Sequence, residues 1–272
     1  MTNYPTVSAI IPCYNEGKYV GRVIEVLLES SSLAEIIAIN DGSTDESDKI
    51  LSSFGHKIIF INFKKNHGKA AAVVAGIKKA TGDLLLFIDA DLCGLKTSHV
   101  EKMVNAYLKN KTDGVIANFV DYHDNSSRFF YWDILGKFYH KIIPYDPLIG
   151  ERLYPRKTLL PWLSQMKNLG YGLEVFLNHK FKDKKIKVVR LKNIFQPPKE
   201  EKNGFNYTTL RIYLKEGLEI SKELAHQQGI KGREIIEFQR KYLRQFVQTY
   251  MKSGRKWKKL FNKYILSYLD IT

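Results

Sequence analysis

L-L-L-F-I-D-A-D-L, residues Leu84–Leu92, sets a run of apolar side chains against two carboxylates one residue apart. A short apolar run bounded by polar residues fits a buried strand, and the aspartates then fall where that strand meets solvent. In that position Asp89 and Asp91 can hold a hard divalent cation such as Mg²⁺ or Mn²⁺, which prefers oxygen ligands and keeps positions open for phosphate oxygens. Taken alone, a D-x-D pair better fits a strand-ending turn whose aspartates cap the next helix. The segments upstream shift the balance.

From Thr6 to about Val120, apolar β-branched runs alternate with amphipathic stretches, the pattern of an α/β fold with a mostly parallel sheet. Strands are predicted at Val7–Pro12, Glu35–Asn40, Lys57–Phe63, Leu84–Asp89 and Gly114–Val120, and helices near Tyr19–Leu28, Glu46–Phe54, Lys69–Ala80 and Ser98–Leu108. Each of the first four strands ends in a polar cluster: Cys13-Tyr14-Asn15-Glu16, Asp41-Gly42-Ser43-Thr44-Asp45, Asn66-His67-Gly68-Lys69 and Asp89-Ala90-Asp91. In a doubly wound sheet the carboxyl ends of the strands share one edge, where ligands bind, so the clusters are expected to converge on one crevice. Further on, the aromatic segment Phe129–Ile143 reads as a helix or mobile cover. Leu173–Phe181 reads as a helix, Lys185–Leu191 as an alternating strand, and Thr209–Ala225 and Gly232–Met251 as helices.

The 272 residues suffice for one large domain with a substantial core. No run approaches the roughly 18 to 20 apolar residues of a membrane span, and the start of the chain lacks the pattern of a secretion signal. Two cysteines, Cys13 and Cys93, cannot build a disulfide framework, so a cytoplasmic setting is expected. A formal charge of +15 attracts polyanions without choosing among them. Nucleic-acid recognition is disfavoured because the basic residues are dispersed and no recognition motif appears. The G-x-G-x-x-G of dinucleotide oxidoreductases and the Walker A loop are both missing.

V-S-A-I-I-P-C-Y-N-E at Val7–Glu16, I-N-D-G-S-T-D at Ile39–Asp45, N-H-G-K-A-A-A-V at Asn66–Val73 and I-D-A-D-L at Ile88–Leu92 together resemble the family 2 glycosyltransferases with the GT-A fold. The segments Asp146–Tyr154 and Gly170–Glu174 are similar, more faintly, to polyprenyl-phosphate hexosyltransferases and glucosyl-3-phosphoglycerate synthases within that family. The resemblance implies a GT-A catalytic domain over 1–204, a Rossmann-like sheet flanked by helices, and a helical extension over 205–272. It further implies a metal-dependent, inverting hexosyl transfer from a UDP- or GDP-sugar to a lipid phosphate or other acceptor. The alternatives are a transferase acting on a soluble phosphorylated small molecule and a non-catalytic nucleotide-binding module, and oligomeric state is left open.

By the same resemblance Pro12, Tyr14 and Glu16 shape the donor site, with Glu16 on the ribose, and Asp41 reads an edge of the nucleobase. Gly68 lets backbone approach the ligand, and Lys69, opening a helix, adds a point charge to the diphosphate. Asp91 is the expected direct metal ligand, with Asp89 on ribose or metal-bound water and Ala90 between them. Glu174 is the candidate base for a hydroxyl acceptor, whereas a phosphate acceptor needs none. Glu151, Arg152, Gln196 and Lys199 are candidates for holding acceptor or diphosphate, with Arg152 suited to bidentate binding. His67 reads as a turn residue. Finally, Trp257, Leu260, Phe261, Tyr264, Ile265 and Tyr268 recur at helical spacing among Lys256, Lys258, Lys259 and Lys263. That pattern over 254–268 fits a helix in an anionic membrane interface, and equally a helix packed on the catalytic domain.

Overall fold

A computed structural model of the chain describes residues 4–120, 146–204 and 206–253, with side chains through residue 244. The aromatic segment 129–143 and the basic tail 254–272 lie outside the described residues.

Seven strands form one sheet in the order β3-β2-β1-β4-β6-β5-β7 among the described residues. They are β1 (Val7–Cys13), β2 (Glu35–Asp41), β3 (Ile59–Phe63), β4 (Leu84–Phe87), β5 (Gly114–Phe119), β6 (Arg152–Pro155) and β7 (Ile186–Leu191). β1 pairs in parallel with β2 and β4, β2 with β3, and β5 with β7. Only β6 runs antiparallel, between β4 and β5. Ile10, Ile11, Ile37, Ile39, Leu85 and Leu86 are fully buried, as expected of central strands covered on both faces.

Four helices connect the first strands: α1 (Val20–Leu28), α2 (Ser47–Ser53), α3 (Lys69–Lys79) and α4 (Thr97–Lys109). The alanine-rich face of α3 lies on β1 and β2. Its Gly76 sits so close that an added Cβ would fall 2.6 Å from Ile10 Cγ2 and 3.0 Å from Ile39 Cδ1. Small residues on this face set how near the helix approaches the sheet, and thereby where the head of α3 stands.

Sequence and structure part at several boundaries. β3 begins at Ile59 because Gly55–Lys57 forms a 3₁₀ turn, with Gly55 at φ +54°. β4 stops at Phe87, so both aspartates lie in the loop beyond the strand. β6 was not predicted, since a four-residue strand buried along its whole length shows no alternation.

The described residues separate into two compact units, one of 4–120, 149–170 and 180–196, the other of 146–148, 171–179, 197–204 and 206–253. The second unit claims most of the helix Leu173–Lys180 because its partners are there. Gln227 Nε2 donates to Val175 O at 3.0 Å, and the Tyr171 amide donates to Glu219 Oε2 at 2.9 Å. The helix Tyr207–Gln227 is capped by Asn206, whose Oδ1 accepts from the Thr209 amide, and it packs against Glu234–Ser253.

At the amino edge of the sheet, Glu35 Oε1 accepts from Ser8 Oγ at 2.6 Å, from the Thr81 amide at 2.6 Å and from the Gly82 amide at 3.3 Å. Burial raises its pKa, but hydrogen bonds from Ser8, Thr81 and Gly82 outweigh burial and leave it below the ordinary glutamate value.

Two predictions follow from this packing. Gly76→Val should lower the denaturant midpoint by about 1–3 kcal/mol of stability through overpacking against Ile10 and Ile39. Because the Glu35 pKa is depressed on folding, its stabilisation is present above the unfolded value and is lost as pH falls through the folded one. Glu35→Gln should therefore destabilise at neutral pH, with the gap to wild type closing in acid, as read from urea melts across pH.

Candidate active site

The chain order of the strands reverses between β1 and β4, so the loops after β1, β2, β3 and β4 crowd the carboxyl edge of the first unit at its topological switch point. The first two are laced together. Asn15, at φ 57°, accepts the Thr44 amide on Oδ1 at 2.7 Å, and its own amide donates to Ser43 Oγ at 2.9 Å. Asp45 accepts from the Gly17 amide at 2.9 Å and from the Ser47 amide at 3.0 Å, and the Glu16 amide donates to Ser47 Oγ at 2.9 Å. Tyr14 is 45% exposed beside these contacts, while Pro12 is half-buried within β1. Cys13 is buried, and burial pushes its thiol up to about 12, so it is no nucleophile at neutral pH.

Asp41 ends β2 with 2% exposure. Its Oδ1 accepts from the His67 amide at 2.7 Å, and its Oδ2 from the Gly68 amide at 2.8 Å and from Asn66 Nδ2 at 3.0 Å. Next to it, Gly42 leaves no room for a side chain, since a Cβ would meet the Lys65 carbonyl carbon at 2.3 Å and the Asn66 nitrogen at 2.5 Å. Both oxygens of this carboxylate thus help shape the turn that delivers Gly68, at φ +92°, and Lys69. His67 contributes its backbone amide to this turn and packs its ring edge-on to Phe63, as expected of a turn residue.

Lys69 opens α3, and its ammonium lies 2.8 Å from Asp89 Oδ1, with the two side chains 16% and 17% exposed. Asp89 Oδ2 accepts from Gln196 Nε2 at 2.7 Å. Gly150 approaches the same carboxylate, and a Cβ there would fall 2.4 Å from Oδ2. Ala90 is buried, and Asp91 is half-buried one residue further on. Lys69 and Gln196 therefore meet on Asp89, the second from 107 residues further along the chain, with Asp91 two residues beyond Asp89.

Other expected site residues stand differently. Glu151 and Arg152 are 0% and 1% exposed. Arg152 lies in β6, where its Nε donates to Ile149 O at 2.7 Å and its Nη1 to the Tyr154 hydroxyl at 3.4 Å. Its guanidinium is thus packed within the sheet. Lys199 belongs to the second unit. There its ammonium lies 2.8 Å from Glu216 Oε2 and 5.3 and 5.2 Å from the ring centroids of Tyr171 and Tyr213, so it is committed to a local ion pair between two aromatic faces. Glu174, 4% exposed, stands in the first turn of its helix in that same unit.

Sequence reasoning gave no role to Asn15, Asn66 or Gly150. The first two carried a usable signal, because an asparagine beside a polar turn readily supplies side-chain hydrogen bonds or the left-handed backbone. Gly150 carried none, since its constraint arises from a residue far away in the chain.

The profile of Glycosyl transferase family 2 matches residues 8–160, more than half of the chain. Among curated relatives, the glycosyltransferase GlyA of Streptococcus pneumoniae is 28% identical over 157 residues, covering 56% of this chain and 22% of its own length. The 4,4'-diaponeurosporenoate glycosyltransferase of Staphylococcus aureus is 29% identical over 118 residues, covering 42% of this chain and 32% of its own length. The chain thus spans about a quarter to a third of those relatives. Among solved structures, glucosyl-3-phosphoglycerate synthase of Mycobacterium tuberculosis, in complex with Mn²⁺, UDP-glucose and phosphoglyceric acid, superposes with a TM-score of 0.66 at 20% identity. That likeness covers 84% of this chain and 81% of the other, and shows a shared fold. With the sheet, the switch-point crevice and the family profile in agreement, this chain belongs to glycosyltransferase family 2.

Proposed function

We propose that the chain moves a hexose from a nucleoside diphosphate sugar to a phosphorylated acceptor. The observation that carries this reading is the Lys69–Asp89 pair with Asp91 beside it, at the carboxyl end of β4 and at the head of α3. An ammonium and a helix N-terminus together favour a diphosphate, and neighbouring carboxylates accept from sugar hydroxyls. The solved neighbours' complexes with UDP-glucose, phosphoglyceric acid and glycerol 3-phosphate support the substrate classes.

Asp89 and Asp91 fit a hard divalent ion, because their donors are carboxylate oxygens one residue apart, and Gly150 admits the Asp89 carboxylate where a Cβ would collide with it. Asp91 would hold Mg²⁺ or Mn²⁺, with Asp89 beside it, and a cation there would offset charge developing on the departing diphosphate. Lys69 serves the same charge from the protein side. Asp41 contributes by holding the 66–68 turn in place. Transfer then proceeds by single displacement: the acceptor oxygen forms a bond to the anomeric carbon as the bond to the diphosphate oxygen breaks, and the diphosphate leaves with the electron pair. A hydroxyl acceptor gives up its proton to a general base as the bond forms, whereas a phosphate acceptor arrives as a competent nucleophile.

Titration calorimetry with UDP, GDP and their glucose and mannose conjugates, with and without Mn²⁺, tests the donor class. A nucleotide-release assay offering 3-phosphoglycerate, glycerol 3-phosphate and a polyprenyl phosphate then tests the acceptor. Failure of every sugar nucleotide to bind folded protein would refute the proposal.

Asp91→Asn should lower turnover by about 10²–10³-fold, the usual effect of removing one charge-stabilising group. Its unfolding midpoint should stay within about 0.5 kcal/mol of wild type, as for a change outside the core. Full activity in that variant would remove Asp91 from the mechanism.

A further inference from the structure

We infer that Gln196 is a positioning residue for donor recognition, acting through Asp89 rather than on acceptor or diphosphate directly. The inference rests on the donor-site reading above and goes beyond it by giving a non-ionisable residue from the far end of the sheet a defined task. A carboxylate on a loop rotates easily about its terminal torsion, which is broad and two-fold. Asp89 is denied that rotation, because Lys69 holds Oδ1 at 2.8 Å while Gln196 holds Oδ2 at 2.7 Å. The carboxylate is acceptor-only, so the nitrogen of the Gln196 amide must face it. With both oxygens held, the plane of the Asp89 carboxylate is set, and with it the geometry in which it can meet a hydroxyl or metal-bound water of the donor.

The placement of Gln196 is itself built. Cys93 and Phe195 form an isolated antiparallel bridge, with the Cys93 amide donating to Phe195 O at 2.8 Å and the Phe195 amide to Cys93 O at 3.0 Å. The bridge ties the residue just before Gln196 to the turn just after Asp91. Gly94, at φ +73°, makes it possible, since a Cβ there would lie on Asn193 O at 2.1 Å. A neutral amide also suits the task better than a second cation would. It orients Asp89 without cancelling the charge that the Lys69 ammonium already offsets, so the carboxylate keeps its strength as an acceptor.

The test is a double-mutant cycle on binding of UDP and GDP, by calorimetry in Mn²⁺ and again in EDTA, with Gln196→Ala, Asp89→Asn and both together. Gln196→Ala should weaken the nucleotide that wild type binds by about tenfold, the loss of one hydrogen bond to a charged group, while the thermal midpoint stays at the wild-type value. In the Asp89→Asn background the same change should alter Kd by less than about twofold, because residues acting as a unit are non-additive. Gln196→His, which keeps an N–H donor the same number of bonds from Cα, should restore most of the affinity. Equal losses in both backgrounds, or no loss in either, would overturn the inference while leaving the proposed function standing. A loss that tracks a lowered thermal midpoint and is not restored by histidine would overturn it as well. If wild type binds neither nucleotide, the proposed function falls and takes this assignment with it.

Discussion

The partly buried pair between the Lys69 ammonium and the Asp89 carboxylate is the contact on which the site's organisation depends. It joins the head of α3 to the loop after β4, the two ends of one helix-to-strand unit. Such a pair is screened less than a surface pair, and either charge left alone there would be costly. Everything around it limits where those two charges can stand. Asp41 fixes the turn before Lys69, Gly150 approaches one side of Asp89, and Gln196 holds the other oxygen.

Several charged groups on these loops hold protein. Asp41 accepts from the 66–68 turn, Asp45 holds Gly17 and Ser47, and Lys199 pairs with Glu216. A common physical reason applies. A loop at the end of a buried strand carries backbone N–H groups that water cannot fully reach, and a nearby carboxylate satisfies them better than a neutral side chain. Preorganising a site for a charged ligand therefore consumes charged residues of its own.

The parallel half of the fold was legible because its strands are continuous apolar runs and its helices begin at recognisable turns. β1, β2, β4 and α3 fell within one or two residues of their expected bounds. Asp89, Asp91 and Lys69 were legible too, since motif and topology both direct them to the carboxyl edge. β6 was not, because Arg152-Leu153-Tyr154-Pro155 is short, starts with a charge and is buried along its whole length. Nor was the burial of Arg152. A guanidinium reads as a surface group until the Ile149 carbonyl and the Tyr154 hydroxyl that receive it inside the sheet are known. The ties of Gln227 and Glu219 to segments near residue 175 and residue 171 were not legible either, since periodicity does not report contacts across some fifty positions.

The antiparallel strand has a bearing on how the chain assembles. β4 pairs with β1 on one side and waits on the other for β6, which arrives only after β5 and the long segment that follows it have been synthesised. As the polypeptide leaves the ribosome, the four-strand layer β3-β2-β1-β4 can close early, with Leu84–Phe87 as a temporary open margin. Unpaired apolar margins of this kind recruit other chains. Crowded translation would therefore favour entanglement between nascent copies at β4, until insertion of Arg152–Pro155 seals it.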